Sequence, residues 1–216
     1  MSATTAIERT AWIIDRLTPF AEAQGMRYLS AQRQFRRPTA TGFAALIVSL
    51  SHYAADSVLE LHLAIRNDLI ENTAFRYTNG LTAFAPNSLT LVASTAKLRG
   101  LPIDRYTIGT EADAEAAMEA LLPWLKQAIP AFWAQYASVQ AIDKALNVAP
   151  TKPTALMPNQ QLRCLRGLVA ARYAQRTDWV NLVPIYRGLL DQYYATPPIV
   201  HGFGRLVDFL RTYVPN

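Results

Sequence analysis

Glu60 and His62 are the two residues of this chain whose types and spacing best suit chemistry. They lie in a run where Leu59, Leu61, Leu63 and Ile65 alternate with Glu60, His62 and Arg66. Successive side chains of a strand point to opposite faces, so a carboxylate stands beside an imidazole on the face away from the leucines. Such a pair can bind a metal ion or raise the histidine pKa for acid–base work. A zinc site needs three or four protein ligands, and His52, at the end of the preceding run, is the nearest third. The alternative is a solvated sheet face, with an ion pair to Arg66 or a neighbour. We expect that second arrangement, so Glu60 and His62 stay as catalytic candidates and no metal or cofactor is assigned.

The remaining chemistry is sparser. Cys164 sits between Arg163 and Arg166, which favour a thiolate. It lies inside an expected helix rather than at a helix start, so a small packed residue is expected. Gly202-Phe203-Gly204 resembles part of a phosphate loop, but it follows Pro197-Pro198-Ile199-Val200 and lacks the third glycine. A helix start or a close helix crossing fits better than dinucleotide binding. No G-x-S-x-G, P-loop, H-E-x-x-H or C-x-x-C occurs, and three histidines are available.

Arginine supplies most of the formal charge of +5, with lysine only at Lys97, Lys126, Lys144 and Lys152. Arg33, Arg36 and Arg37, near Tyr28 and Phe35, are the one tight cluster. Together with Arg66 they form a candidate interaction surface. Alternation puts Arg33, Phe35 and Arg37 on one face and Arg36 on the other, which splits the cluster and suits a charge-protected edge strand. A nucleic-acid surface through these residues and Arg163, Arg166, Arg172 and Arg176 is the weaker alternative, because such footprints are denser.

These residues sit in an ordinary packed chain of 216 residues, 51% hydrophobic and 17% charged. That balance excludes disorder. No apolar run reaches the length of a membrane helix, and Met1–Thr10 lacks the basic and apolar segments of a secretory leader. The single cysteine cannot form an internal disulfide, so a cytoplasmic setting is expected.

Helical spacing of Ile7, Ile13, Ile14, Leu17 and Phe20 predicts a helix from Thr5 to Ala23, with Pro19 kinking it or opening a short second piece after Thr18, and Gly25 as its stop. Strands are expected at Arg33–Arg37 (an edge), Phe43–Leu50, Val58–Arg66, Phe75–Thr78, Leu89–Thr95 and Arg105–Gly109, with a turn at Asn79-Gly80 and ambiguity over Asn67–Asn72. Thr110 and Asp113 form a capping box for a helix that Pro123 bends or ends near Leu125. Pro130 then opens another, with Phe132, Tyr136, Val139, Ile142 and Leu146 on one stripe.

Asn147–Pro158 holds three prolines and no periodicity, and reads as a linker. Three helices follow: Pro158–Gln175, Asp178–Tyr194 and Pro197–Val214. The middle one carries Trp179, Leu182, Val183, Tyr186, Leu189, Leu190 and Tyr193 on one side. The spacing Trp179-x-x-Leu182-x-x-x-Tyr186, with Ala195 further on, resembles the first helix of a tetratricopeptide repeat. The match covers one repeat; Val183 replaces its small glycine and Pro197-Pro198 interrupts its second helix. The resemblance implies a helical hairpin able to offer a groove to a partner.

The expected fold class is α+β: an N-terminal helix, an antiparallel meander of about five or six strands covered by helices, then an antiparallel helical C-terminal subdomain. The expected domains are residues 1–148 and 158–216. The expected function is a non-catalytic protein–protein interaction module, a binding or inhibitory partner of another protein, with neither membrane nor nucleic acid as partner. A small carboxylate/histidine enzyme at Glu60 and His62 is the alternative.

Overall fold

The computed structural model describes residues 5–78 and 80–213. Asn79 of the expected turn and Val214 at the expected end of the last helix lie outside the described residues. In chain order the elements are α1 (Ala6–Ala23), β1 (Arg27–Leu29), β2 (Gln34–Thr39), β3 (Gly42–His52), β4 (Ser57–Asn67), α2 (Asp68–Ala74), β5 (Leu91–Ser94), α3 (Thr95–Arg99), β6 (Tyr106–Ile108) and α4 (Glu111–Gln135). Then come α5 (Val139–Asn147), α6 (Gln160–Tyr173), α7 (Leu182–Gln192) and α8 (Pro197–Thr212). The fold is α+β, with an N-terminal helix, an antiparallel sheet and a helical C-terminal half.

The chain divides into two compact units. One holds the described residues up to Ala64 together with Ala93–Ala134, and the other holds Ile65–Val92 with the residues from Gln135 on. The strand order is β1-β2-β3-β4-β5, with β6 also paired to β4.

In the first unit, Thr5 caps α1 by a reciprocal box. Its hydroxyl accepts from the Glu8 amide at 3.2 Å while the Glu8 carboxylate accepts from the Thr5 amide at 2.7 Å. The helix buries Ile13, Leu17 and Phe20. Ile7 and Ile14 do not share that stripe, contrary to expectation. At 100° per residue they fall roughly a third of a turn away from it, together with Ala11, and Ile7 is 82% exposed.

Gly25, at φ +73, adopts the left-handed conformation that ends α1 and turns the chain into β1. That short strand occupies the sheet edge expected for Arg33–Arg37, and β2 lies inside it, between β1 and β3. Three residues show too little alternation to be read as a strand, so β1 has no signature in the sequence. Arg33 is not in the strand at all. It closes the 3₁₀ turn Ser30–Gln32 at φ +51. In β4 the expected alternation is present: Leu59, Leu61 and Leu63 are buried while Val58, Glu60 and His62 are half-buried.

The expected cap of α4 forms as well. The Thr110 amide and hydroxyl donate to Asp113 at 2.8 and 2.9 Å, and the Asp113 amide donates back to the hydroxyl at 3.2 Å. But α4 runs unbroken through Pro123 and Pro130, as α1 does through Pro19. Each proline withdraws an amide from the carbonyl four residues earlier, on Asp15, Glu119 and Lys126. All three prolines and all three acceptor residues are exposed, so these positions lie on the outer faces of their helices. The actual break comes at residues 136–138, where the Ser138 hydroxyl accepts from the Ala141 amide and starts α5.

The second unit centres on α6, whose residues from Arg163 to Ala171 are all buried, packed by α2, α5, α7 and α8. Asn67 caps α2, accepting from the Ile70 amide at 3.1 Å. Phe75–Tyr77, expected as a strand, is a 3₁₀ turn that prolongs α2. Trp179, Leu182, Tyr186, Leu189 and Leu190 enter the core as their spacing predicts. The proline-rich residues 148–159 carry no helix or strand and belong to this unit. Arg163 grips the start of that segment, donating to the carbonyls of Leu146, Ala149 and Lys152.

Candidate functional site

Glu60 pairs with Arg105 at 2.9 Å, so the carboxylate is engaged by a partner on the neighbouring segment rather than by Arg66. Burial lowers the His62 pKa and the Glu60 charge only partly opposes this, leaving the imidazole neutral at pH 7. His52 does not join the pair; its Nδ1 lies 2.8 Å from Ser57 Oγ. Among the described residues no group of three His, Cys, Asp or Glu side chains could hold a metal ion. The third ligand that a metal site on this face would need is therefore not brought to Glu60 and His62.

Arg66 corrects the expectation of a solvated outer face most sharply, because it is buried. It donates to Asp68 at 2.5 Å, to Asn72 at 2.8 Å, and to the carbonyls of Ala85 and Ser88 at 2.6 and 3.0 Å. Its role is to fasten the 3₁₀ segment Thr82–Asn87 to the start of α2. It offers nothing to a partner.

The other arginines divide similarly. Arg36 and Arg37 point to opposite faces of β2, as alternation requires. Arg36 stacks 4.1 Å over Phe43 and donates to Gln34, and Arg37 lies 4.4 Å over Trp133. Arg163 and Arg166 are buried. Arg172 donates to the carbonyls of Leu210 and Tyr213 at the end of α8, and Arg176 pairs with Asp178 at 2.8 Å and Asp143 at 3.4 Å. These four are engaged in ties within the second unit.

Cys164 is buried in α6, donates to the Gln160 carbonyl at 3.2 Å, and has its thiol pushed up to about 12 by desolvation. The neighbouring arginine fails to offset that cost. Gly202 and Gly204 lie inside α8, and a Cβ at Gly202 would overlap the Tyr77 carbonyl oxygen. The glycine serves close backbone approach, not phosphate binding.

What remains is a groove in the first unit that sequence analysis did not identify. Ile7, Ala11 and Ile14 form its apolar side along α1, and Tyr28, Arg33 and His52 close it from the sheet edge. It encloses about 590 Å³, within the usual range for binding clefts. Arg9 is buried and donates to Ser57 Oγ at 2.9 Å, the atom that also meets His52, and to the carbonyls of Ala55 and Tyr53 at 3.3 and 3.1 Å. Desolvation, then the charges of Arg33 and Arg9, hold His52 below the usual imidazole range.

A serine and a histidine at 2.8 Å are the elements of an activated nucleophile. Here Ser57 is wholly buried and its oxygen already accepts from Arg9, so no substrate reaches it. A sequence signal for this groove does exist: Ile7, Ala11 and Ile14 recur at the heptad spacing of a second apolar stripe. Comparison with protein-family models, curated proteins and solved structures finds no match for this chain.

Proposed function

We propose that this chain is a non-catalytic protein-binding module that engages its partner through the α1 groove. The observation that carries this is the second apolar stripe. A helix that already buries Ile13, Leu17 and Phe20 exposes Ile7 and Ala11 beside the half-buried Ile14, in a concave surface with Arg33 and His52 at its margin. Amphipathic helices need one apolar face, and a second one faces a partner. The dispersal of the remaining cations into internal ties supports a protein partner over nucleic acid. The lone buried cysteine supports a cytoplasmic setting. Among the described residues no helix is long and apolar enough to cross a membrane.

The test is a photo-crosslinking amino acid placed at Ile7, with His201 on α8 as the control position, in protein expressed in its native host. A discrete protein adduct from position 7 and none from position 201 is expected. Equal labelling from both positions, or none from 7, rejects the role.

A further inference from the structure

Arg9 fastens the first turns of α1 to the turn between β3 and β4, where it holds the carbonyls of Tyr53 and Ala55 as well as Ser57. Ser57 Oγ is the centre of this arrangement. It is wholly buried and lies 2.9 Å from Arg9 Nε and 2.8 Å from His52 Nδ1. Among the described residues it has no other hydrogen-bond partner. A hydroxyl has one proton to donate and two lone pairs that accept. Arg9 can only donate, so the Ser57 proton has a single acceptor, the imidazole Nδ1. The His52 ring is therefore neutral and carries its own proton on Nε2.

Protonating His52 at Nδ1 turns that acceptor into a donor. The Ser57 oxygen then either receives two donors or loses the imidazole, and in both cases its own proton is left buried without an acceptor. A second positive charge also arises two hydrogen bonds away from the buried Arg9 guanidinium. Of the other groups around the ring, Tyr28 of β1 and Tyr53 of the turn are uncharged, and Arg33 is a cation. Asp15 on the α1 wall and Asp56 in the turn are the carboxylates. The balance lies against protonation: desolvation first, then the charges of Arg33 and Arg9, hold His52 below its ordinary 6.5.

We propose that Arg9, Ser57 and His52 form a proton-sensitive latch, which holds the first turns of α1 on the β3–β4 turn while His52 is neutral and loosens them when it is protonated. Lifting those turns lets water reach Ser57 and separates the two cations, so the open form is the one that takes up the proton. Because the closed latch lowers the His52 pKa, its contribution is full above about pH 6.5 and is lost as pH falls through the closed-state value. The latch stands whatever the groove binds. It gives the wall formed by Ile7, Ala11 and Ile14 a pH dependence, since His52 and that wall line the same groove.

The experiment is NMR of the histidine ring nitrogens together with amide hydrogen exchange, on wild type and His52→Gln, both checked for folding by circular dichroism. Position 52 is exposed, so glutamine fits there, and its side-chain oxygen accepts from the Ser57 hydroxyl without titrating. Above about pH 7 the His52 ring is expected to be neutral with its proton on Nε2. As pH is lowered from about 7, protection of the amides from Arg9 to Ile13 is expected to fall about fivefold in wild type, the equivalent of one ordinary hydrogen bond, and to stay level in His52→Gln. A neutral ring with its proton on Nδ1 overturns the latch, as does protection that falls equally in both proteins or in neither. Both proteins keep His62, so a fall common to both arises outside the latch. A failed crosslink from position 7 rejects the binding role and leaves the latch standing.

Discussion

Arg166 and Glu71 meet inside the second unit through two parallel hydrogen bonds of 2.6 and 2.9 Å. Both side chains are almost wholly buried, so the pair ties α6 to α2 without help from solvent. Burial alone would raise the Glu71 pKa. The Arg166 charge, with hydrogen bonds from Arg166, Ser88 and Thr90, overcomes that and holds the carboxyl below its usual value. Removing one partner leaves the other charged and buried, which costs about 3–5 kcal/mol, whereas replacing both by apolar groups costs much less. We expect Arg166→Met to lose stability on that scale in urea denaturation, and Glu71→Leu/Arg166→Met to recover most of it. A double variant as unstable as the sum of its singles would contradict a coupled pair.

Gly202 and Gly204 provide an internally controlled pair of substitutions on α8. A Cβ at Gly202 overlaps the Tyr77 carbonyl oxygen, while a Cβ at Gly204 meets nothing within 4 Å. Gly202→Ala is expected to destabilise by about 3 kcal/mol or more, because backbone must move. Gly204→Ala is expected to stabilise by about 0.5–1 kcal/mol through helix propensity. Thermal unfolding of both variants beside wild type measures the contrast, and similar melting temperatures for the two would disprove the close approach.

The elements legible in the sequence are those whose pattern is local. The alternation of β4, the cap at Thr110 and Asp113, and the stripe of Trp179, Leu182 and Tyr186 each depend on residues a few positions apart. What depends on the third dimension is hidden from such patterns. Arg66 alternates with Glu60 and His62, but its burial comes from Ala85 and Ser88, about twenty residues along the chain. Pro19, Pro123 and Pro130 break helices by rule, yet here all three sit at exposed positions of unbroken helices. Ile7 and Ile14 group with Ile13 as apolar residues of one helix, and only their angular separation shows that they serve a different surface.

Cys164 provides a test of how far burial outweighs nearby positive charge. Its thiol is pushed up to about 12 by desolvation, against the opposing charge of Arg163. The thiolate is the reactive species, so at pH 8 roughly one molecule in ten thousand would carry it, from the definition of the pKa. We expect no reaction with a disulfide dye in the native protein over hours, and one equivalent released in denaturant. Stoichiometric labelling of the folded chain would show that the helix α6 core opens far more readily than its packing implies.

His62 gives a pH dependence whose sign can be worked out. Burial lowers its folded pKa below the ordinary 6.5, and Glu60 opposes this only in part. Below the unfolded value the unfolded chain therefore binds more protons than the folded one, and stability falls as pH falls. The loss begins near pH 6.5 and ends once the pH has dropped through the folded pKa, after which both states carry the proton. Above about pH 6.5 the group contributes no slope. Replacing His62 by Gln removes the titration while keeping a polar side chain on the half-buried face of β4. We expect the urea midpoint of wild type to decline below about pH 6.5 more steeply than that of His62→Gln, with the curves parallel above about pH 7. Parallel curves throughout would mean that the imidazole is as free to protonate in the folded chain as in the unfolded one.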